Sequence, residues 1–244
     1  QKRAYEAYYR PIYEKFADAK LSGKALAEWK FRRYMIDYLN TAQSMDRNIG
    51  RVMDYLEEHK LAENTVVIYM SDQGFYMGEH GWFDKRFMYE ESFRTPMLIK
   101  YAPLVPAGVQ VEANVVNADI APTVLELAGI AKPEDMQGRS FLATLKAPKK
   151  QHRKAVYYHY FENGEHAVSP HFGVKDGRYK LIRFYKRVDA WELFDLEKDP
   201  QELHNVVADP SYKKVLQKMK KTLLKEIQNF DDQEAAQLFN KPIS

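Results

Sequence analysis

The sequence contains no cysteine, which excludes disulfide frameworks, thiolate zinc sites and cysteine nucleophiles within these residues. It also lacks a run of the ~20 consecutive apolar residues that a membrane-spanning helix needs. Neither sign of charge dominates, because 37 basic and 34 acidic residues leave a formal net charge of +3. This balance does not indicate a nucleic-acid surface. We therefore expect a protein with no membrane span and no nucleic-acid partner.

The 244 residues do contain enough apolar material for a substantial core. The hydrophobic content of 45% and the aromatic content of 14% exclude disorder and low complexity. Apolar residues recur at three- and four-residue spacing over 24–60, which predicts a long amphipathic helix. The continuously apolar run at 65–70 predicts a buried strand, which we interpret as central and parallel, and a second strand is expected at 96–101. Residues 115–128 predict a further strand and a helix closed by Gly129.

The last third of the chain differs from the rest in its pattern of residue types. Short aromatic-rich runs separated by Gly, Asp and Asn turns predict an antiparallel sheet, and residues 212–230 predict a helix packed on it. The predicted strands lie at 155–161, 171–175, 178–185 and 190–196. The basic segment 145–154 contains a proline, so we place a boundary there. We predict an α/β class with residues 1–150 in the main α/β domain and residues 151–244 in a sheet-and-helix subdomain.

Two oxygen donors stand directly after the predicted strand at 65–70. Asp72 offers a carboxylate and Gln73 an amide oxygen, the donor types that calcium and magnesium prefer. Strand alternation would point the two side chains to opposite faces, so shared coordination requires a turn that Gly74 permits. The alternative is that Asp72 caps the next segment and Gln73 is solvated, and the spacing leaves both interpretations open.

Two further candidates lie in the polar, glycine-containing stretch that follows. Lys85 would add positive charge beside a metal, which suits a tetrahedral oxyanion such as sulfate or phosphate. His80 could donate to the same anion or protonate a leaving group. Alternatively, Lys85 is a solvated loop lysine and His80 has no chemical role.

The order and spacing of four motifs in this stretch resemble the second half of the type I, formylglycine-dependent sulfatases. The motifs are Ser-Asp-Gln-Gly at 71–74, Gly-Glu-His-Gly at 78–81, Asp-Lys at 84–85 and Tyr-Glu-Glu-Ser-Phe-Arg-Thr-Pro at 89–96. Further similar landmarks at 119–123, 137–140, 177–182 and 192–196 extend the likeness over roughly residues 34–206. The resemblance implies an alkaline-phosphatase-like sulfatase fold and the activity of a sulfuric ester hydrolase.

The resemblance also implies roles for individual residues. Asp72 and Gln73 match the family's calcium ligands, with magnesium as the alternative metal, although asparagine or histidine is more common at the second position. Lys85 matches the lysine that contacts the sulfate. His80 matches a position in the active-site loop whose role varies within the family.

The segment 82–86 and the later loop 166–171 resemble those of bacterial sulfatases that act on sulfated amino sugars such as 6-O-sulfated N-acetylglucosamine. A sulfated carbohydrate is therefore the expected substrate, with Asp84 and Arg86 beside Lys85 as candidate contacts to the sugar. His171 is a further candidate for the same sugar, and its alternative is a histidine in a surface turn. Because sulfatases of this type are exported, the resemblance implies a periplasmic or extracellular location.

The chain departs from the family pattern in one respect that bears on mechanism. The family's nucleophile arises in a Cys/Ser-X-Pro/Ala-X-Arg motif and is accompanied by two metal-binding aspartates, and none of these is found at a matching position. We therefore expect the C-terminal portion of a longer sulfatase, inactive without its N-terminal half. A phosphohydrolase of the same superfamily and a non-catalytic protein that binds sulfated glycans are the alternatives.

Overall fold

The computed structural model describes residues 2–243, which form two compact units. The first unit contains the residues up to Ala62 together with Met77–Phe83. The second contains Glu63–Tyr76 and the chain from Asp84 onward. The second unit draws residues from both sides of position 150, and the domain boundary expected there stays a prediction.

The first unit is helical. It comprises α1 (Lys2–Ala4), a π-helical turn (Tyr5–Tyr9), α2 (Arg10–Ala19) and α3 (Gly23–Glu58). The helix predicted over 24–60 is thus confirmed, although α3 has no buried residue that would mark an apolar face. Phe16 stacks on Trp29 with the ring centroids 4.4 Å apart, which joins α2 to α3. Although α3 is 36 residues long, neither it nor any other helix in residues 2–243 is apolar enough to cross a membrane.

The second unit begins with a two-stranded sheet. Strands β1 (Val67–Met70) and β2 (Met97–Lys100) lie where the apolar runs predicted them. They pair antiparallel, with Val67 opposite Lys100, so the interpretation of β1 as a parallel strand is wrong. The predicted burial of this strand is not found in the residues described, because Tyr69 is exposed and the rest of β1 is half-buried. A continuous apolar run also carries no information on the direction of its neighbour. The connection between the strands contains the four-residue helix α4 (Glu90–Phe93) rather than a long crossover helix, and the chain returns antiparallel.

Two further helices follow in this unit, α5 (Ile120–Leu127) and α6 (Leu142–Lys146). The predicted end of α5 is confirmed, because Gly129 has φ of +70° and donates its N–H to Glu126. The strand predicted at 115–116 is wrong. The N–H of Val116 donates to the carboxylate of Asp119 at 3.0 Å instead of to a neighbouring strand.

The C-terminal sheet confirms the predicted antiparallel arrangement. Its strands follow one another in chain order as β3 (Val156–Tyr160), β4 (His171–Lys175), β5 (Tyr179–Phe184) and β6 (Ala190–Asp195). The predicted helix is α7 (Lys213–Asn229), which buries Met219, Leu223 and Ile227 against one face of this sheet. A short helix that the sequence did not predict, α8 (Gln233–Phe239), follows it and begins where Asp232 accepts a hydrogen bond from Ala235.

The opposite face of the C-terminal sheet supports the segment that follows Lys85. Tyr89 donates its hydroxyl to Glu192 of β6 at 2.7 Å. A Cβ atom on Gly173 of β4 would lie 2.5 Å from the carbonyl oxygen of Leu181 and 2.7 Å from the sulfur of Met88, so only glycine allows this close approach. The sheet therefore carries α7 on one face and the residues after Lys85 on the other.

Candidate active site

Asp72 and Gln73 lie where the chain leaves β1. The Asp72 side chain is exposed and that of Gln73 is half-buried. Ser71 donates its hydroxyl to the Gln73 carbonyl at 2.7 Å, and Gly74 donates its N–H to the Ser92 carbonyl at 2.7 Å. A Cβ atom on Gly74 would lie only 2.0 Å from the carbonyl oxygen of Glu91. Gly74 is therefore required by close packing against α4.

The backbone of Asp72 is held from a second side by Asn117, whose side-chain amide donates to the Asp72 carbonyl. Asn117 belongs to a short turn that ends at the fully buried Asp119. The Asp119 carboxylate accepts hydrogen bonds from the N–H of Arg139 at 3.0 Å and from the Arg153 guanidinium. Asp119 belongs to the sulfatase-like landmark at 119–123, whereas no motif in the sequence pointed to Asn117 as a positioning residue.

The buried Ser92 of α4 joins Lys85 to the same structure. Its hydroxyl donates to the Lys85 carbonyl at 2.6 Å, while its own carbonyl accepts from Gly74. The side chain of Lys85 itself is exposed. Through Ser92, the structure brings the backbone of Lys85 together with the loop that carries Asp72 and Gln73. Ser92 lies within the motif at 89–96, but its spacing there gave no signal of this role.

The two residues beside Lys85 are paired with each other. The Asp84 carboxylate accepts from the N–H of Lys85 at 2.6 Å and forms an ion pair with Arg86. The Asp84 and Arg86 side chains remain 26% and 25% exposed. A guanidinium nitrogen of Arg86 lies 3.0 Å from Nε2 of His166, in the loop between β3 and β4. The pair is thus held in place and still reaches solvent.

A buried ion-pair network fixes the start of α4. The ammonium of Lys180 lies 2.8 Å from one carboxylate oxygen of Glu90 and 2.7 Å from one of Glu202. Lys175 forms a second ion pair with Glu90 at 2.7 Å. Burial opposes ionisation of Glu90, but the attraction of Lys180 and the hydrogen bonds from both lysines outweigh it and hold the pKa of Glu90 below its ordinary value. Burial raises the pKa of Glu202, which shares Lys180. This network anchors α4 to the C-terminal sheet.

His171 does not face solvent. Its side chain is fully buried at the start of β4, where Nδ1 lies 2.9 Å from the Ser169 carbonyl. Burial lowers the pKa of His171 to about 4, so the imidazole is neutral. Four aromatic side chains surround it with ring centroids 5.0–5.7 Å away: Phe87, Tyr158, Tyr160 and Phe184. A side chain with no exposed surface cannot contact a sugar, so the prediction of His171 as a substrate contact is wrong, as is the surface-turn alternative.

His80 lies in the first unit, in a 3₁₀ turn at Glu79–Gly81. Its φ of +53° places its backbone in the left-handed region, which is uncommon for a residue other than glycine. Its ring stacks on Trp82 with the centroids 5.8 Å apart. The role of His80 in proton transfer stays a prediction.

The metal expected at Asp72 and Gln73 can be tested against the donors present. Across residues 2–243, no group of three or more acidic or histidine side chains is arranged to hold a metal ion. The carboxylate and the amide oxygen suit a hard cation but supply a minority of the ~6–8 oxygen ligands that calcium takes. The donor chemistry therefore fits, and these two residues would complete a site that needs ligands from elsewhere.

Two family models match the chain. The sulfatase model matches residues 3–130, and the model described as the C-terminal part of N-sulphoglucosamine sulphohydrolase matches residues 78–229. The N-acetylglucosamine-6-O-sulfatase of Bacteroides thetaiotaomicron is 43% identical over 241 residues, which are 96% of this chain and 43% of that protein. An arylsulfatase of Clostridium perfringens is 32% identical over 82% of this chain and 41% of its own length.

The fold is also similar to solved structures. The structure of BT4656 in complex with its substrate D-glucosamine-2-N,6-O-disulfate matches with a TM-score of 0.90 and 40% identity, over 98% of this chain and 48% of that one. The phosphonate monoester hydrolase of Agrobacterium radiobacter matches with a TM-score of 0.67 and 26% identity, over 75% of this chain and 39% of that one. The chain thus spans less than half the length of each of these relatives. The expected fold is confirmed, and the chain belongs to the sulfatase family.

Proposed function

We propose that this chain forms the part of a metal-dependent sulfuric ester hydrolase that closes its metal and sulfate site. The observation that carries the proposal is the arrangement around Ser92, which holds the backbone of Lys85 and the loop of Asp72 and Gln73 together while the Lys85 and Asp72 side chains stay exposed. Membership of the sulfatase family supports the same function.

In this proposal the exposed ammonium of Lys85 binds the sulfate and opposes the negative charge that develops as the ester bond breaks. Asp72 and Gln73 would hold calcium, with magnesium as the alternative, and the metal would supply further charge stabilisation. His80 belongs to the first compact unit, and its proposed role as a proton donor to the leaving oxygen rests on the resemblance. Three positioning residues keep Lys85 and the loop of Asp72 and Gln73 in place: Asn117, Ser92 and Gly74.

We infer that the nucleophile, expected to be formylglycine, and the remaining metal ligands belong to a part of the polypeptide outside these 244 residues. The coverage of 43% of the length of the N-acetylglucosamine-6-O-sulfatase supports this inference. The isolated chain is accordingly expected to be inactive. The periplasmic or extracellular location implied by the resemblance is part of the same proposal.

The metal assignment is tested by Asp72→Ala in the full-length enzyme. Because Asp72 is exposed and lies beyond the end of β1, the variant should fold normally but lose calcium-dependent hydrolysis of an aryl sulfate down to background. Asp135→Ala removes another exposed carboxylate and is the matched control. Unchanged turnover and unchanged metal content in Asp72→Ala would contradict the assignment.

The proposed substrate is a sulfated carbohydrate, with a 6-O-sulfated amino sugar as the specific candidate. Similarity to the structure bound to D-glucosamine-2-N,6-O-disulfate supports this choice. Asp84 and Arg86 beside Lys85 are the proposed contacts to sugar hydroxyls, because a site built on such polar groups rejects analogues that leave them unpaired.

Asp84→Ala tests this recognition. The variant should lower kcat/KM for 6-sulfated N-acetylglucosamine by roughly 100-fold and for a small aryl sulfate far less, since the aryl sulfate has no hydroxyls to bind. Asp84→Asn keeps an oxygen that can accept the Lys85 N–H, so it preserves the support of the backbone while removing the carboxylate charge. Comparing the two variants distinguishes sugar binding from backbone support. Equal losses on both substrates in the two variants would count against a role in sugar recognition.

Phosphoester or phosphonate hydrolysis is the second candidate function, because the fold is also similar to a phosphonate monoester hydrolase. Lys85 and a divalent metal would suit a tetrahedral phosphorus centre equally well. Assaying the full-length enzyme on matched aryl sulfate and aryl phosphonate esters distinguishes the two. Faster turnover of the phosphonate would replace the sulfatase proposal with this one.

A further inference from the structure

Helix α7 concentrates positive charge. Its 17 residues contain six lysines and one glutamate, a formal charge of 6 − 1 = +5. The whole chain has a net charge of +3, so the remaining residues together carry 3 − 5 = −2. The basic character of the protein therefore comes from one helix.

Four of these lysines form one line along the helix, which we call the lysine stripe: Lys214, Lys218, Lys221 and Lys225. Their spacing of four, three and four residues places them on one face, over a length of about 16 Å. All four are exposed, whereas Met219, Leu223 and Ile227 on the other face are buried against the sheet. The stripe thus points away from the core.

The stripe is poorly neutralised. Of its four lysines, Lys218 alone forms an ion pair within residues 2–243, at 3.1 Å from Asp176, and its side chain is still 66% exposed. The single glutamate of the helix, Glu226, accepts a hydrogen bond from Asn229 rather than from a stripe lysine. The first turn contains no acidic residue. The positive field of the stripe therefore extends into solvent.

This pattern does not serve helix stability. Lysines at i,i+3 and i,i+4 repel one another, so Lys214, Lys218, Lys221 and Lys225 form three unfavourable neighbouring pairs. Lys213 and Lys214 also occupy the first turn, where the helix dipole favours acidic side chains. A negatively charged partner that binds along the helix would relieve both kinds of repulsion.

The stripe lies on the sheet face opposite the segment that follows Lys85. Successive residues of β5 point to opposite faces of the sheet. Leu181 packs in the core with α7, whereas Lys180 points to the other face and pairs with Glu90 of α4. A ligand on the stripe would therefore leave Lys85 accessible to a small substrate.

We propose that the lysine stripe is an accessory surface that binds a linear sulfated polysaccharide. The choice of a sulfated glycan rests on the proposed function, since the polymer that carries the substrate groups is a polyanion. One lysine for each helical turn suits a chain with regularly repeated negative charge. A membrane surface fits less well, because the apolar face that an interfacial helix inserts into lipid is buried against the sheet.

The test compares three full-length proteins with the wild type. The first carries Lys→Gln at all four stripe positions, the second carries Lys→Arg at the same positions, and the third carries Lys→Gln at four dispersed exposed lysines. These control positions are Lys20, Lys24, Lys60 and Lys146. Affinity for heparin is measured by fluorescence titration at several salt concentrations, beside kcat/KM for a small aryl sulfate.

We expect the Lys→Gln stripe variant to lose heparin affinity by roughly tenfold or more and to show a shallower salt dependence, because fewer counterions are released. The Lys→Arg variant and the dispersed control should bind within about twofold of the wild type, with aryl sulfate turnover unchanged in every protein. An equal loss in the dispersed control would overturn the proposal, since only net charge would matter. Stripe-dependent binding of anionic lipid vesicles or duplex DNA that is tighter than that of heparin would overturn the choice of ligand.

This design separates the accessory surface from the proposed function. If the wild type hydrolyses the aryl sulfate but its heparin binding does not depend on the stripe, the surface proposal fails alone. If the wild type hydrolyses no sulfate ester, the proposed function fails, and the choice of a sulfated glycan as the ligand fails with it.

Discussion

Charged side chains reach solvent in the segments that carry the candidate site residues, 72–73 and 84–86, whereas several are buried in the C-terminal sheet. Asp72 and Lys85 have exposed side chains, and hydrogen bonds from the exposed Asn117 and the buried Ser92 hold their backbone in place. In the sheet, by contrast, the ammonium of Lys180 is fully buried and paired with Glu90 and Glu202. The difference teaches that the buried charge of Lys180 is neutralised within the structure, whereas the side chains of Asp72 and Lys85 stay accessible to solvent.

The polar clusters of the two regions also differ in what they connect. The carboxylate of Asp119 joins loop segments close to β1, including the N–H of Arg139. Lys180 joins α4 to β5 and to Glu202, which follows β6. Ser92 lies where the two supports meet, because it sits in α4 and bonds to both Lys85 and Gly74. A substitution in the Asp119 cluster should therefore displace the Asp72 loop, and a substitution in the Lys180 network should displace α4.

Lys180→Met should have the largest effect on stability. Removing the ammonium leaves the buried carboxylates of Glu90 and Glu202 facing each other, and breaking a buried ion pair in this way costs about 3–5 kcal/mol. Chemical denaturation of the variant measures the loss in the free energy of unfolding. Lys198→Met, at an exposed position, is the control and should change it by less than about 0.5 kcal/mol. Similar losses in both variants would mean that the network does not support the sheet.

His171→Phe should change how stability depends on pH. The pKa of His171 in the folded protein is about 4, below the value of about 6.5 in an unfolded chain. As the pH falls from about 6.5 to about 4, the unfolded state gains a proton that the folded state excludes, so the wild type loses up to about 3 kcal/mol from this group. The Phe variant should lack this component of the loss.

The measurement is the free energy of unfolding of both proteins across that pH window. Carboxylates with lowered pKa values, such as Glu90 and Asp232, contribute to both proteins and cancel in the difference. His204→Phe replaces an exposed histidine and serves as the control. A pH dependence shared by the wild type and His171→Phe would show that the buried imidazole is not its source.

Gly74→Ala should have the smallest effect on stability of the three, but one directed at the site. The added Cβ atom meets the Glu91 carbonyl at 2.0 Å, so the loop or α4 must shift, at a cost of about 1–3 kcal/mol. Because the shift displaces the loop of Asp72 relative to α4, which bonds to the Lys85 backbone, turnover of an aryl sulfate by the full-length protein should fall even under conditions where the variant is fully folded. Gly177→Ala is the matched control, since a Cβ atom there meets nothing within 4 Å. Wild-type turnover in Gly74→Ala would exclude α4 as a positioning element.

The sequence predicted local elements well where one periodicity continued over many residues. The 3.6-residue pattern placed α3 and α7, and the Gly129 signal placed the end of α5. The four strands of the C-terminal sheet were instead predicted from short aromatic-rich runs between turn residues. The pattern failed at 115–116, where Asp119 takes the N–H that a strand would have paired.

The sequence by itself determined which residues form strands β1–β6 and helices α3, α5 and α7, together with the resemblance to sulfatases and the candidates Asp72, Gln73 and Lys85. Residue type and short-range spacing are sufficient to predict these features. The tertiary structure decided the antiparallel pairing of β1, the burial of His171, and the positioning roles of Ser92 and Asn117. Each of these depends on a contact between residues that are distant along the chain. Periodicity and motif spacing do not encode such contacts, because they describe only what lies within a few residues.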